Sequence, residues 1–440
     1  MKIDIPLQKA GVAETILENS VVLKGPEDID ILIKKIGNAR YVLLGEASHG
    51  THEYYVWRTW ITKKLIEDHG FSFVAVEGDW PDCYRINRYV KNYKDAGQNA
   101  FSVLKKFHRW PTWMWANWEI AALVEWLRDY NKEKRANQKA GFYGLDVYSL
   151  WESFGAIINY LKKEDPSTMQ QAMKALKCFE PFSDDEGQSY ARATYMVPPI
   201  CENEVVDLLV TIRKKMTTYD MDPEGAMNAE QNAHVLVEAE KYYRTMMQAG
   251  PASWNIRDRH MVATLNRLMQ FHGPKAKAIV WEHNTHIGDA RATGMAREGM
   301  VNVGQLVDEQ HHNEGVYTVG FGSYMGTVIA GGAWGAEMER MEVPRARPGS
   351  WEFLLHQLDA KDRIIFMNKE MKLGLSNAPI GHRAIGVVYH PIYEYPGNYV
   401  LSQIAHRYNA FIFLNETSAL HPIYTTTLSH ELPETYPFGV

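Results

Sequence analysis

The stretch YVLLGEASHGTHEYYVWR, residues 41–58, decides how the rest of the chain is interpreted. Its first four residues form an apolar run, which is typical of a strand buried on both faces of a sheet. The polar turn GEASHG follows, and the next residues have a helical pattern ended by a glycine, Gly70. A strand, a glycine-flanked turn and a helix in this order indicate an α/β fold with right-handed crossovers.

Seven further short runs are apolar on both sides of the pleat and predict more buried strands. They are FSFVAVEGD (71–79), AGFYGLDVY (140–148), AKAIVWEHN (276–284), GVYTVGFGSY (315–324), DRIIFMN (362–368), RAIGVVYH (383–390) and AFIFLNE (410–416). Helical patterns lie between strands, such as DIDILIKKIG (28–37), where Gly37 can end the helix. We therefore expect a mostly parallel central sheet flanked by helices.

The middle of the chain has a different pattern. From Trp151 to Gly273 no run predicts a strand, and segments such as ENEVVDLLVTIRKKM have helical spacing and many strong helix formers. We therefore divide the chain into a first part of the α/β core at residues 1–150, a helical insertion at 151–273 and a second part of the core at 274–440. The insertion is expected to form a lobe or lid over the active-site cleft.

Composition and charge exclude several classes of function. The 440 residues are 45% hydrophobic and 23% charged, with a formal net charge of −6, which is ordinary for a globular protein. No basic block suggests a nucleic-acid partner, and no apolar stretch approaches the roughly 18 residues that span a bilayer. The three cysteines form no CxxC pair and are not expected to make a disulfide framework. With no secretory signal apparent either, we expect a cytoplasmic protein without a membrane partner.

Ionisable residues follow most of the predicted strands. These strand-end residues are Glu46, Glu77, Asp146, Glu282 with His283, His390, and Glu416. In open α/β sheets, ligands bind outside the carboxyl ends of the strands. Any one of these residues is explained equally well as a solvated loop end, but the set as a whole indicates a shared site.

The turn GEASHG places Glu46 three residues before His49, and Arg58 lies about two turns into the following helix. A carboxylate beside an imidazole can fix its tautomer and raise its basicity, and an arginine can stabilise an oxyanion. The alternative is a capped polar turn with an incidental histidine.

A second histidine-bearing segment, WEHNTH, follows another predicted strand and carries Glu282, His283 and His286. Histidines at this spacing can bind a metal, orient a substrate or help to stabilise an oxyanion. Their recurrence at a second strand end makes an incidental polar turn a weaker explanation for both segments.

A third strand end lies in FVAVEGDWPDCYRIN, where Glu77 is the last residue of the apolar run. Asp79 is expected to cap the helix that begins near Trp80, because Pro81 suits a first helical turn. Cys83 is interpreted as a packed side chain, since the sequence shows no base partner for a thiol nucleophile.

Several catalytic signatures are absent from the chain. GEASHG is not a G-x-S-x-G elbow around Ser48, which disfavours a serine hydrolase. There is no phosphate loop, and His52–Glu53 lacks the second histidine of H-E-x-x-H. The glycines of VGFGSYMGTV have the wrong spacing for a dinucleotide fingerprint and are interpreted as a close-packed strand and turn.

Several of these segments together resemble the erythromycin esterase family. They are LLGEASHGTHEYYVWR, GFSFVAVEGDWPDCYRINRYV, FYGLDVYSLW, WEHNTHIGDAR, VGFGSYMGTV, RAIGVVYHPIYEYPGNYV and AFIFLNETSALHP, which run from about residue 30 to about residue 425. The resemblance implies an α/β core with a helical lobe over a cleft. It also implies hydrolysis of an ester or macrolide lactone, and thus a role in antibiotic resistance, by activated water without a covalent intermediate. No obligatory metal and no cofactor are expected.

On the matching positions, the resemblance implies that His49 is the general base and that Glu46 orients or assists it. The other catalytic residues expected from it are Arg58, Glu77 and His286. The residues expected to contact a small-molecule ester or lactone are His283, Trp80, Asp146 and Tyr148.

Two other functions remain open from the residues alone. One is a metal-dependent hydrolase, because Glu46, His49, His283 and His286, with His52, provide enough ligands for a zinc site with an open position. The other is a non-catalytic protein that binds a bulky apolar compound, which the many aromatic residues would suit. Clustered carboxylates and histidines fit simple binding less well than catalysis.

Overall fold

The computed structural model of the protein describes residues 12–94, 96–185, 188–196, 201–215, 223–248, 250–369, 371–372 and 379–424. The strands are β1 (Ser20–Val22), β2 (Tyr41–Leu44), β3 (Phe73–Asp79), β4 (Gly141–Asp146), β5 (Ala278–Trp281), β6 (Val316–Gly331), β7 (Met338–Val343), β8 (Arg363–Phe366), β9 (Ile380–Arg383), β10 (Tyr399–Ser402) and β11 (Ala410–Thr417).

The helices before the middle section are α1 (Val12–Glu18), α2 (Asp30–Ile36), α3 (His52–His69), α4 (Trp80–Val90), α5 (Ala100–Leu104) and α6 (Trp118–Asn131). Those of the middle section are α7 (Leu150–Glu164), α8 (Pro166–Phe179), α9 (Gln188–Met196), α10 (Glu202–Lys215), α11 (Pro223–Met246) and α12 (Ala252–His272). The remaining ones are α13 (Asn284–Ile287), α14 (Val303–His311), α15 (Trp351–Asp359), α16 (Glu394–Gly397) and α17 (Ile404–Arg407).

A nine-stranded sheet forms the centre of the molecule, in the order β1-β8-β11-β6-β2-β5-β3-β4, with β7 paired to β6. The strands from β11 to β4 run parallel to one another, whereas β1, β7 and β8 pair antiparallel. Tyr41 of β2 lies beside Ala278 of β5 and Val316 of β6. The predicted α/β fold with a mostly parallel sheet is therefore confirmed.

The strands of the parallel region are buried on both faces. Alternate residues of β2 enter different apolar cores: Val42 and Leu44 pack with α3, while Leu43 packs with Leu265 of α12. Burial on both faces explains why these runs are continuously apolar instead of alternating.

One predicted strand is wrong. In RAIGVVYH only Arg383 belongs to a strand, β9, and the following residues cross the end of the sheet. Ile385 and Val388 form isolated bridges with Ser48 and Gly331, which lie on two different segments, so no continuous ladder can form. The apolar residues of this run are buried by packing alone, a situation that a sequence pattern does not distinguish from a strand.

The described residues from Leu150 to His272 contain helices and no strand. Helices α7 to α11 enclose their own apolar core, which includes Phe154, Phe179 and Leu236. Helix α12 instead packs on the sheet through Met261 and Leu265. The middle section therefore reaches the sheet through α12, while the proposed boundaries at residues 150 and 273 stay a prediction.

A disulfide bond joins Cys178, near the end of α8, to Cys201, just before α10. The sequence predicted only that the three cysteines make no disulfide framework, and it did not predict this single bond, because the pairing depends on how two helices pack and leaves no local signal. Cys83 is buried and free, as expected for a packed side chain. Disulfides are uncommon in reducing compartments, so the cytoplasmic localisation stays a prediction.

None of the helices that the structure describes combines the length and apolar character needed to cross a membrane. Residues 1–11, on which the absence of a secretory signal was judged, lie outside the described residues.

Candidate functional site

Four neighbouring parallel strands bring the candidate site together at their carboxyl ends. The order β2-β5-β3-β4 places these strands side by side. The side chains are Glu46 and His49 after β2, His283 and His286 after β5, Glu77 in β3 and Asp146 at the end of β4. All of these side chains are buried.

The turn between β2 and α3 is held tightly by its neighbours. A Cβ on Gly45 would lie 2.1 Å from Oδ1 of Asn284, and a Cβ on Gly50 would lie 1.9 Å from the carbonyl oxygen of Ile329. Only glycine fits at such approaches. The position of His49 is thus fixed by the packing of the backbone on either side of it.

His49 is the end of a buried chain of hydrogen bonds. Its Nδ1 lies 2.8 Å from Oε1 of Glu46, and Nη2 of Arg58 donates to Oε2 of the same carboxylate. Because Nδ1 donates to the carboxylate, the neutral ring carries its lone pair on Nε2. His49 also lines the cleft, so the arrangement suits a base that faces a substrate.

Arg58 lies behind this chain and not in the cleft. Its guanidinium is fully buried between the rings of Tyr55 and Trp281, at 4.4 and 4.6 Å from their centroids. The Tyr55 hydroxyl lies 2.9 Å from the carbonyl oxygen of His49. Arg58 is therefore placed to hold Glu46, which in turn holds His49.

Arg257 of α12 organises the second half of the site. Its Nε and Nη2 donate to the two oxygens of Asp146, at 2.9 and 2.7 Å, and Nη2 also donates to Oε1 of Glu77 at 2.7 Å. The guanidinium lies 4.9 Å from the ring centroid of Tyr148. Asp146, Glu77, Arg257 and Tyr148 all line the cleft, so Arg257 is a cation available there.

His286 lies between two carboxylates and one arginine. Its Nδ1 is 2.9 Å from Oδ1 of Asp258, and its Nε2 is 3.0 Å from Nη1 of Arg257 and 3.4 Å from Oε1 of Glu77. The ring stacks on Trp254 at 4.5 Å. A neutral ring accepts from Arg257 at Nε2, whereas a protonated ring donates towards Glu77.

The charges around His286 favour its protonated form. Burial lowers the pKa of His286, but Asp258 and Glu77 outweigh burial and raise that pKa to about 10. Burial likewise raises the pKa of Glu77, and the charges of His286, Arg257 and His49 outweigh it and hold that pKa well below its usual range. Glu77 is therefore a carboxylate near neutral pH.

His283 is buried beside His49, with 5.0 Å between the two ring centroids. Its backbone N–H donates to Oε2 of Glu77 at 2.8 Å, and its Nδ1 accepts from the backbone N–H of Thr285 at 3.2 Å. Burial, followed by the charge of His49, holds the pKa of His283 well below its usual range. His283 is therefore a neutral residue that positions Glu77.

The cleft above these groups is small and has aromatic walls. Space for the centres of water-sized molecules amounts to about 60 Å³. The aromatic lining residues are Phe107, Trp110, Trp115, Tyr148 and Trp334. This volume holds on the order of five water molecules.

Two acidic residues line the cleft although this was not predicted from the sequence. Asp79 was predicted to be a helix cap, and no prediction was made for Asp82. Asp79 makes no capping hydrogen bond to α4; it binds Arg109 through two hydrogen bonds of 2.6 and 2.8 Å, which corrects its assignment as a helix cap. Asp82 also lines the cleft, and burial, partly offset by Arg85, raises its pKa to about 7.

Four of the residues singled out in the sequence lie outside the candidate site, whereas Glu46, Arg58, His283 and His286 belong to the site without lining the cleft. Trp80 stacks on Tyr143, its indole N–H donates to Asn228, and it is not among the residues that line the cleft. His390 and Glu416 are exposed. His52 is bonded to Glu119, and neither of these two residues lines the cleft.

Arg257 and Asp258 belong to the site but were not predicted from the sequence. Both lie on α12 in the same helical stripe as Trp254, Met261 and Leu265, all of which are buried. Two charged residues within an otherwise apolar stripe are the signal that could have identified them, because buried charges are rarely unpaired.

The ligands of the metal-dependent alternative do not converge. In the part of the chain that the structure describes, only His52, Glu119 and His421 bring three ligand atoms within 4.8 Å of one another. Instead, Glu46 and His49 are hydrogen-bonded to each other, the backbone N–H of His283 donates to Glu77, and the ring of His286 is bonded to Asp258.

Comparison with known proteins places these residues in a family. The model of the erythromycin esterase family matches residues 66–417. The "Putative hydrolase YbfO" of Bacillus subtilis (strain 168) is 23% identical over 326 residues, which are 69% of each chain. "Erythromycin esterase type II" of Escherichia coli is 32% identical over 121 residues, which are 28% of this chain and 26% of that protein.

Solved structures share the fold. A Bacillus cereus protein superposes with a TM-score of 0.78 at 18% identity, covering 96% of this chain and 99% of that one. A succinoglycan biosynthesis protein gives 0.73 at 20% identity, covering 93% and 98%. A mutant of the erythromycin esterase EreC in its open conformation gives 0.63 at 14% identity, covering 92% and 96%. Because the family model spans most of the chain, the protein belongs to the erythromycin esterase family.

Proposed function

We propose that the protein is a hydrolase that cleaves a carboxylic ester or lactone with a water molecule activated by His49. Membership of the family supports a hydrolase, and the site supports the mechanism. The observation that carries the proposal is the chain from Arg58 through Glu46 to His49, because it leaves Nε2 of a cleft-lining histidine as the proton acceptor.

In the first step, Nε2 of His49 takes a proton from water, and the hydroxide attacks the ester carbonyl carbon. Glu46 stabilises the resulting imidazolium through Nδ1. Arg58 keeps Glu46 oriented, since the second oxygen of the carboxylate is bound by the guanidinium. Arg58 thus acts through Glu46, and not directly on the substrate.

The tetrahedral oxyanion needs a cation in the cleft, and Arg257 is suitably placed, because it lines the cleft and is held there by Glu77 and Asp146. When the intermediate collapses, the bond to the alkoxide breaks, and the alkoxide takes the proton held on Nε2 of His49. The products are a carboxylic acid and an alcohol, and the histidine returns to its neutral form.

The absence of a suitable hydroxyl or thiol supports attack by water. Among the described residues that line the cleft there is no serine, threonine or cysteine. Ser48 is buried and bound to the hydroxyl of Thr51. A covalent intermediate on one of these side chains is therefore disfavoured.

The size of the cleft bears on the substrate. Drug-sized ligands occupy pockets of roughly 300–1,000 Å³, well above the space of about 60 Å³ found here. A macrolide ring therefore enters only if the walls of the cleft move apart. We expect compact esters and lactones to be hydrolysed more readily than a macrolide, and macrolide resistance to follow only if the lactone is turned over.

The test is turnover of a panel of esters, small lactones and a macrolide, with products identified by mass spectrometry. His49→Gln should lower kcat at least 10²-fold, because general-base catalysis contributes about 10²–10⁴-fold. His390→Gln is the matched control, since His390 is an exposed histidine outside the cleft, and its activity should stay at the wild-type level.

Normal turnover by folded His49→Gln protein would exclude His49 as the base. Binding of panel compounds without any product from the wild-type protein would favour the non-catalytic binding protein instead. Loss of all activity on chelation, with recovery on adding metal, would favour the metal-dependent alternative.

A further inference from the structure

A second group of histidines lies outside the cleft and takes no part in the proposed reaction. His52 at the start of α3, Glu119 in the first turn of α6 and His421 in the C-terminal segment each offer one ligand atom. These three atoms lie within 4.8 Å of one another, and no other such trio occurs among the residues described. The group therefore needs an explanation of its own.

Both imidazoles point their Nδ1 atoms at the same carboxylate oxygen. Oε1 of Glu119 lies 2.5 Å from Nδ1 of His52 and 2.7 Å from Nδ1 of His421, and the two rings are nearly perpendicular. The Glu119 side chain is 5% exposed, whereas those of His52 and His421 are 32% and 63% exposed. The group is thus closed on one side and open to water on the other.

The backbone holds the three ligands in place independently of their side chains. The N–H of His52 donates to the carbonyl of Ser418 at 2.8 Å, and the N–H of Leu420 donates to the carbonyl of Gly50 at 3.0 Å. The N–H of Trp118 donates to the carbonyl of His421 at 2.9 Å. The C-terminal segment therefore bridges α3 and α6 immediately behind the turn that carries His49.

We propose that His52, Glu119 and His421 bind a Zn²⁺ ion that fastens the C-terminal segment to this turn. Two imidazole nitrogens, one carboxylate oxygen and a water molecule form a common tetrahedral zinc set. Imidazole ligands favour Zn²⁺ and similar transition metals over Mg²⁺ or Ca²⁺, which prefer oxygen ligands.

Only a small movement is needed to admit the ion. Zinc–ligand bonds of about 2.0–2.2 Å in a tetrahedron place ligand atoms about 3.3 Å apart, so the two present contacts must open by less than about 1 Å. The exposed ring of His421 can supply this by rotation. Glu53, whose oxygens accept from the N–H and hydroxyl of Ser418, adds negative charge beside the site without competing as a ligand.

The experiment is calorimetric titration of untagged, metal-free, full-length protein with Zn²⁺. The wild type should bind one equivalent with high affinity, and both His421→Ala and Glu119→Gln should weaken that binding at least tenfold. His312→Ala is the matched control, because His312 is an exposed histidine hydrogen-bonded to a carboxylate, that of Asp308, outside this group. Its affinity should equal that of the wild type.

Thermal melting provides a second readout, since an ion that binds only the folded state raises the melting temperature. Zn²⁺ should raise the melting temperature of the wild type and not that of His421→Ala. Absence of binding by the wild type, or unchanged affinity in both ligand variants, would overturn the proposal. A zinc anomalous peak at another place in crystals grown with Zn²⁺ would overturn it as well.

Discussion

Arg257 lines the cleft, where it donates hydrogen bonds to Asp146 and Glu77 and contacts His286 with its third nitrogen. A planar guanidinium can serve three partners at once, whereas an ammonium group is a single point charge. Arg257 is consequently both the support for Glu77 and the cation proposed to face the oxyanion.

The substitution Arg257→Lys should keep the positive charge but lose the simultaneous contacts that the planar guanidinium makes. We expect kcat to fall at least tenfold while KM changes less, because the contact with the oxyanion exists only after attack. Steady-state kinetics with the best ester of the panel would measure both constants.

Arg244→Lys is the corresponding control, because Arg244 of α11 makes a similar two-bond contact, with Glu240, away from the cleft. Equal losses of kcat in the two variants would show that the effect of Arg257→Lys is general destabilisation and not loss of a cleft contact.

At the scale of elements, α12 connects the helical section to the site. It brings Arg257 to the cleft and Trp254 and Asp258 to His286, and it continues onto the sheet through Leu265. Helices α7 to α11 pack around their own core, with the disulfide between Cys178 and Cys201 joining two of their segments. Tyr148, which lines the cleft, belongs to the core of these helices, so their stability is relevant to the site.

The disulfide predicts a measurable dependence of stability on reductant. It closes a loop with a sequence separation of 23, for which the chain-entropy model gives about 3 kcal/mol. We expect dithiothreitol to lower the melting temperature of the wild type but not that of the Cys178→Ser, Cys201→Ser double variant. Circular dichroism would follow the melting of the helices.

Thiol counting by mass spectrometry under non-reducing, denaturing conditions supplies the control for this experiment. One free thiol is expected, that of Cys83. Three free thiols in freshly purified protein, or equal sensitivity of both proteins to reductant, would contradict the pairing.

At the scale of the whole molecule, local patterns predicted the sheet and much of the proposed site. Continuous apolar runs identified β2, β3, β4 and β5, and the rule for carboxyl ends of parallel strands grouped Glu46, Glu77, Asp146 and His283 before the order of strands was known. These predictions succeeded because the local pattern of residues indicates both the burial of a strand on its two faces and the direction in which it runs.

The features that the sequence did not predict correctly depend on packing between distant segments. Arg257 lies 180 residues from Glu77, to which it is bound, and only the docking of α12 brings the two together. Trp80 was assigned to the substrate, but the direction in which α4 presents it depends on the helices it packs against. RAIGVVYH has the composition of a strand, yet its possible partners lie on separate segments.

The buried charges around His286 should make the stability of the whole molecule fall as pH rises above neutrality. The unfolded imidazole has a pKa near 6.5, and Asp258 and Glu77, against the effect of burial, raise that of the folded protein to about 10. The folded state therefore binds the extra proton between these two pH values. The stabilisation, on the order of a few kcal/mol, is complete below pH 6.5 and is lost as the pH approaches 10.

Unfolding by guanidinium between pH 6.5 and pH 10 measures this effect. The free energy of unfolding should decline more steeply for the wild type than for His286→Gln, with His390→Gln behaving like the wild type. Parallel declines in all three proteins would show that His286 does not hold a proton in the folded state.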